Sequence, residues 1–84
     1  MFEIHIERRA VKELEKIAAT EQESILQKIS TILSGSPYPA GNNPKRLKGA
    51  YAFRLRIGDY RVLYTIEKST VLVYAIRNRK DAYG

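Results

Sequence analysis

Apolar and polar residues alternate, then recur at helical spacing, then alternate again along this chain, and each change of period marks a new element. Phe2, Ile4 and Ile6 alternate with Glu3 and His5, which predicts a short leading strand with His5 on its polar side. From about Glu7 the period lengthens. Val11, Leu14, Ile17 and Ala18 form a one-sided stripe among Arg8, Arg9, Lys12, Glu13, Glu15 and Lys16, the pattern of a helix packed on a sheet. Thr20-Glu21-Gln22-Glu23 has the hydroxyl-to-carboxylate spacing of a capping box and opens a second helix. Ile25, Leu26, Ile29, Ile32 and Leu33 give that helix its buried face, and Gly35 with Pro37 ends it. So short a connection makes the two helices an antiparallel hairpin, with the mixed charges of their outer faces serving solubility.

Ser34 to Pro44, holding three prolines, Gly41 and two asparagines, is a connecting loop. The alternation then returns in full. Tyr51, Phe53, Leu55 and Ile57 alternate with Ala52, Arg54 and Arg56, and after Gly58-Asp59 it resumes as Tyr60, Val62 and Tyr64 against Arg61, Leu63 and Thr65. Glycine at the first central position suits a type II′ hairpin closed by Ile57 and Tyr60. Counting outward, Leu55 meets Val62, Phe53 meets Tyr64 and Tyr51 meets Ile66, all on one apolar face. On the other face Arg56 opposes Arg61, with Arg54 beside them opposite Leu63. Like charges at opposed positions destabilise a hairpin, so their concentration on one face points to an anionic ligand. Glu67 to Thr70 is a second turn, and Val71 to Ile76 is apolar throughout, as in an interior strand covered on both sides. The fold class is therefore α+β: an N-terminal strand, a helical hairpin, then a three-stranded antiparallel meander with the helices on one face of the sheet.

Composition narrows the chemistry. A chain of 84 residues makes one domain, residues 1–84, with one core. It has no cysteine for disulfides or thiolate catalysis, and a single histidine without clustered carboxylates leaves no basis for a metal site or cofactor. No apolar run approaches membrane-spanning length, and acids interrupt the start, so a soluble cytoplasmic protein is expected. The net charge of +6 is the sum of −1 up to Pro44 and +7 beyond it, where ten Lys/Arg meet three Asp/Glu. The basic surface thus belongs to the sheet, and a polyanion is its natural partner. Lys45, Arg46 and Lys48 lead into the hairpin, and the tail after Ile76 adds Arg77, Arg79, Lys80 and one aromatic, Tyr83. Cations beside an aromatic suit RNA, whose phosphates pair and whose bases stack.

The combination KRLKG, YAFRLRIGDYRVLYTI and YAIRNRKDAY resembles the RelE/ParE toxin superfamily, and its RelE branch most closely, over nearly the whole chain. The resemblance implies a type II toxin that cuts messenger RNA in the ribosomal decoding site and is held inactive by a cognate, RelB-like antitoxin. The arginine of the family's G-x-YR segment matches Arg61, a basic catalytic position matches Arg54, and the C-terminal arginine and tyrosine match Arg79 and Tyr83. Ala52 stands where some members carry a further catalytic lysine. The same fold in the ParE branch poisons DNA gyrase without nuclease chemistry, and a third reading is a degenerate toxin that acts only as co-repressor with its antitoxin.

Metal-free RNA cleavage requires that the 2′-hydroxyl lose a proton, the pentavalent phosphate be neutralised and the 5′-oxygen be protonated. Arg61, with Arg54 or Arg79, suits the second task, because a guanidinium donates two parallel hydrogen bonds to phosphate oxygens. Arginine stays charged and moves protons poorly, so Tyr83 is the candidate general base, with Lys48 or Lys80 as donor to the leaving group. Lys45, Arg46, Lys48, Arg56, Arg77 and Lys80 are the candidate RNA contacts.

Overall fold

The computed structural model describes residues 2–38, 44–47 and 52–78, and its sheet is built outward from the Ile57–Tyr60 turn. In chain order the elements are β1 (Glu3–Ile6), α1 (Arg8–Glu15), α2 (Ala19–Gly35), β2 (Lys45–Arg46), β3 (Ala52–Ile57), β4 (Tyr60–Glu67) and β5 (Thr70–Asn78). The strands form one sheet in the order β1-β5-β4-β3-β2. β3, β4 and β5 are the expected antiparallel meander. β1 pairs in parallel with β5, which makes β5 an interior strand, and two-residue β2 adds an antiparallel edge beside β3.

The register of the central hairpin is the one that alternation dictates: Phe53 opposes Tyr64, Leu55 opposes Val62, Arg56 opposes Arg61 and Ile57 opposes Tyr60. Gly58 takes φ 57°, the left-handed value that the first central position of a II′ turn demands. Tyr51 lies outside the described residues. The β4–β5 register runs regularly from Glu67–Thr70 to Tyr64–Val73, then skips Tyr74 and resumes at Leu63–Ala75. This bulge inverts the phase of β5. Before it Val71 and Val73 face the helices; after it Ile76 does, and Arg77 falls on the opposite side.

Ala10 and Leu14 of α1 and Ile25, Ile29 and Leu33 of α2 pack on Phe53, Leu55, Ile57, Val62, Tyr64, Val71, Val73 and Ile76 in one core. The Tyr64 ring stacks on Phe53 with centroids 5.5 Å apart, and its hydroxyl donates a 2.7 Å buried hydrogen bond to the Pro37 carbonyl, tying the end of the helical layer to the sheet. No helix among the described residues is long and apolar enough to cross a membrane.

The helices depart from expectation in three details. α1 buries Ala10 rather than Val11, which is 40% exposed, so its inner stripe runs through Ala10 and Leu14, with Ile17 partly buried just beyond its end. Leu26 and Ile32 flank the buried stripe of α2 instead of completing it. The Thr20–Glu23 capping box does not form, because α2 begins earlier, with Ala18 at the N-cap and no side-chain cap. The Gln22 amide instead donates to the Ile17 carbonyl at 2.6 Å and closes the tight link between the helices.

Candidate nucleic-acid interface

With Leu55, Ile57 and Val62 committed to the helices, Arg54, Arg56 and Arg61 stand on the other side of the sheet. The bulge at Tyr74 adds Arg77, so that Arg56, Arg61 and Arg77 form one row across β3, β4 and β5. Arg56 is exposed, whereas Arg54, Arg61 and Arg77 are half-buried. At the hairpin tip Arg56, Gly58, Asp59, Tyr60 and Arg61 line a small cavity of about 60 Å³. Arg54 occupies the next row, opposite Leu63 on one side and Lys45 on the other. Its Nε is buried and donates to none of the described residues. An orphaned guanidinium N–H in a native fold calls for an acceptor beyond the described residues.

The helix side of the same strand end is held by acids. Glu13 of α1 accepts a hydrogen bond from the Ile76 backbone N–H through Oε1 at 3.1 Å, and its Oε2 lies 3.9 Å from Arg77 Nε. Tyr60 lies near Glu21 at the start of α2 and opposite Asn78 across the strands; burial, followed by that Glu21 carboxylate, holds the Tyr60 phenol above its ordinary pKa. Glu13, Lys16, Ile17, Tyr60, Ile76 and Asn78 enclose a cleft of about 260 Å³ there. The sequence alone assigns Glu13 to a solvating charge pattern, and no local signal betrays its contacts with residues more than sixty positions away.

Lys45 and Arg46 lie in β2 by backbone, opposite Arg54 and Phe53. Lys48, Arg79, Lys80 and Tyr83 fall outside the described residues, and with them the candidate general base.

A family model for the ParE toxin of type II toxin-antitoxin system, parDE, matches residues 4–83. The chain belongs to this toxin family. Within the RelE/ParE superfamily its likeness is to the RelE branch. It is 29% identical over 85 residues to the mRNA interferase toxin RelE of Escherichia coli K12, an alignment covering 96% of this chain and 88% of that protein. Its fold is similar to that of a chain in the RelBE2 toxin-antitoxin complex of Mycobacterium tuberculosis, with a TM-score of 0.79 and 26% identity over 93% of this chain and 98% of that one. It also superimposes on a chain of the intact E. coli RelBE complex with a TM-score of 0.77 at 22% identity, covering 93% of this chain and 96% of the other. This ParE-family toxin thus has the RelE-like α+β fold, with its arginine row on the face that the helices leave uncovered.

Proposed function

We propose that this toxin is an endoribonuclease that cleaves messenger RNA on the ribosome without a metal ion, in the cytoplasm, and that a RelB-like antitoxin restrains it. The single observation that carries this reading is the row of Arg56, Arg61 and Arg77, with Arg54 behind it, on one face of the sheet. Guanidinium groups held side by side by strand register lose little freedom when a phosphodiester arrives, and each offers planar, paired donors to its oxygens. Arg61, central in the row, is assigned to the phosphate charge that develops as the 2′-hydroxyl attacks. Arg54 contributes a donor that the fold leaves without a described acceptor. Arg56, Arg77 and the β2 cations Lys45 and Arg46 hold the flanking backbone. Arg79, Tyr83, Lys48 and Lys80 complete the assignment, with Tyr83 as base and a lysine as acid. The antitoxin rests on relatives solved as toxin-antitoxin complexes.

Brief induction of the toxin followed by mapping of message ends tests the proposal. Cuts inside translated codons that vanish in Arg61→Ala, with the variant still folded, support it. The family's ParE description favours one rival, inhibition of DNA gyrase without cleavage. Intact messages with damaged DNA, or toxicity that survives Arg61→Ala together with Tyr83→Phe, would decide for that rival.

A further inference from the structure

Glu13 looks like one more solvating charge on α1, yet both of its oxygens are engaged at the arginine end of the sheet. The cause is the length of β1. Its pairing with β5 stops at Val73, so the Ile76 N–H, directed away from β4, has no strand to meet. α1 packs against β5 beyond that point and supplies a carboxylate in place of a carbonyl, at 3.1 Å. A carboxylate pinned in this way has a fixed direction. Its second oxygen meets Arg77 from the Nε side at 3.9 Å, which restrains one edge of the guanidinium in the row shared with Arg61. A guanidinium held on that edge keeps Nη donors for a phosphate. On the neighbouring strand the Glu21 carboxylate of α2 lies near Tyr60, raising its pKa after burial. Each helix therefore sends one carboxylate to the strand pair that carries Arg61 and Arg77.

We propose that Glu13 is a positioning residue for Arg77: it orients that guanidinium from the helix side so that its Nη groups face RNA on the opposite side. The proposal rests on the reading of the arginine face as the RNA-cleaving surface. As a stabilising contact the ion pair counts for little, being long, with its side chains 37% and 26% exposed. Its effect lies in orientation, where a small displacement of a phosphate donor lowers the rate.

Glu13→Gln separates the two roles, since the amide keeps an oxygen for the Ile76 N–H and loses the charge. In a translation extract the variant should show kcat reduced about five-fold, the rate equivalent of the upper end for such a pair. KM should not rise, because removing a negative charge cannot weaken attraction to RNA. The denaturation midpoint should stay that of the wild type, and in an Arg77→Ala background the same change should have no effect on kcat. An unchanged kcat, or an equal loss with and without Arg77, overturns the proposal. Hydrogen exchange of the Arg77 Nε–H, followed by NMR in the free protein, decides it independently of activity. Faster exchange in Glu13→Gln supports the contact, and unchanged exchange overturns it. If the wild type cuts no RNA, the nuclease reading fails while this exchange measurement still judges Glu13.

Discussion

Arg61 on β4 lies directly across from Arg77 on β5, and the bulge that leaves Tyr74 out of the pairing is what brings them together. Were Tyr74 paired with Leu63 in a regular ladder, the phase of β5 would carry through unchanged. Arg77 would then turn under the helices with Val71 and Val73, and Ile76 would turn out of the core. Two opposed arginines repel, so the bulge sets the burial of Ile76 against a like-charge pair on the other face. Deleting Tyr74 joins Val73 to Ala75 in a regular ladder and keeps the faces of Ala75, Ile76, Arg77 and Asn78, so that variant should still melt cooperatively, whereas inserting one residue after Ala75 reverses the faces of Ile76, Arg77 and Asn78 and should abolish cooperative thermal unfolding. Tyr74→Ala keeps the residue count and should melt cooperatively. An insertion variant that melts like the wild type would show that the register of β5 does not set the face of Arg77.

Arg54 links binding and stability with opposite signs. Its buried Nε lacks an acceptor among the described residues, which costs about 1–3 kcal/mol for a buried donor. Arg54→Met keeps the apolar stem and removes the donor, so chemical denaturation should show a protein more stable by about 1 kcal/mol. The same variant should bind single-stranded RNA more weakly. Its plot of log affinity against log salt should be shallower by about 0.7, the slope of one phosphate contact. Equal slopes would remove Arg54 from the phosphate-binding set.

The central hairpin was legible in the sequence because two signals coincide there. Strict alternation fixes the faces, and Gly58-Asp59 fixes the register, so the shared side of Arg54, Arg56 and Arg61 follows by counting. β5 offers no such handle. Val71 to Ile76 is apolar at every position, and a run without alternation conceals its phase, so neither the bulge nor the side taken by Arg77 can be found from it. The parallel pairing of β1 with β5 is a contact between distant segments that no local pattern encodes. On α1 the larger Val11 drew the expected stripe away from Ala10, whereas the close approach of helix to sheet selects the smaller side chain; Ala10 is fully buried. The capping motif failed for a different reason. The helix starts at Ala19, so Thr20 already lies inside the first turn and cannot cap it. Of the candidate site, the strand-borne arginines were legible as a group, while Glu13 and Tyr60 acquire their contacts only when helices and strand ends meet.

Tyr64 makes alkaline stability a test of the core. Burial raises its phenol well above the ordinary tyrosine range. The folded state therefore keeps this proton at a pH where the unfolded chain, near a pKa of about 10, has released it. The unfolded state then binds fewer protons than the native one, so stability is full below about pH 10 and falls as pH rises beyond it. Tyr64→Phe should flatten that fall. At neutral pH it should cost about 1–3 kcal/mol, because the buried Pro37 carbonyl loses its donor. Urea titrations at pH 7 and at pH 11 measure both effects, and an unchanged alkaline slope in the variant would assign it to another tyrosine.

Lys68 offers a gain in stability far from the arginine face. In the turn between β4 and β5 it adopts φ 56°, a left-handed conformation that brings its Cβ against its own backbone. For a residue with a side chain that conformation costs about 1–2 kcal/mol, and glycine avoids the clash. Lys68→Gly gives back part of the gain through the greater freedom of the unfolded chain, so a net stabilisation of about 1 kcal/mol is expected. The position closes the Glu67–Thr70 pair at the end of the sheet opposite Tyr60 and Asn78, so message cleavage should keep its wild-type rate. Denaturant midpoints and cleavage rates measured on the same preparation check both halves. A less stable Lys68→Gly would mean that the lysine side chain contributes more to the turn than its backbone strain removes.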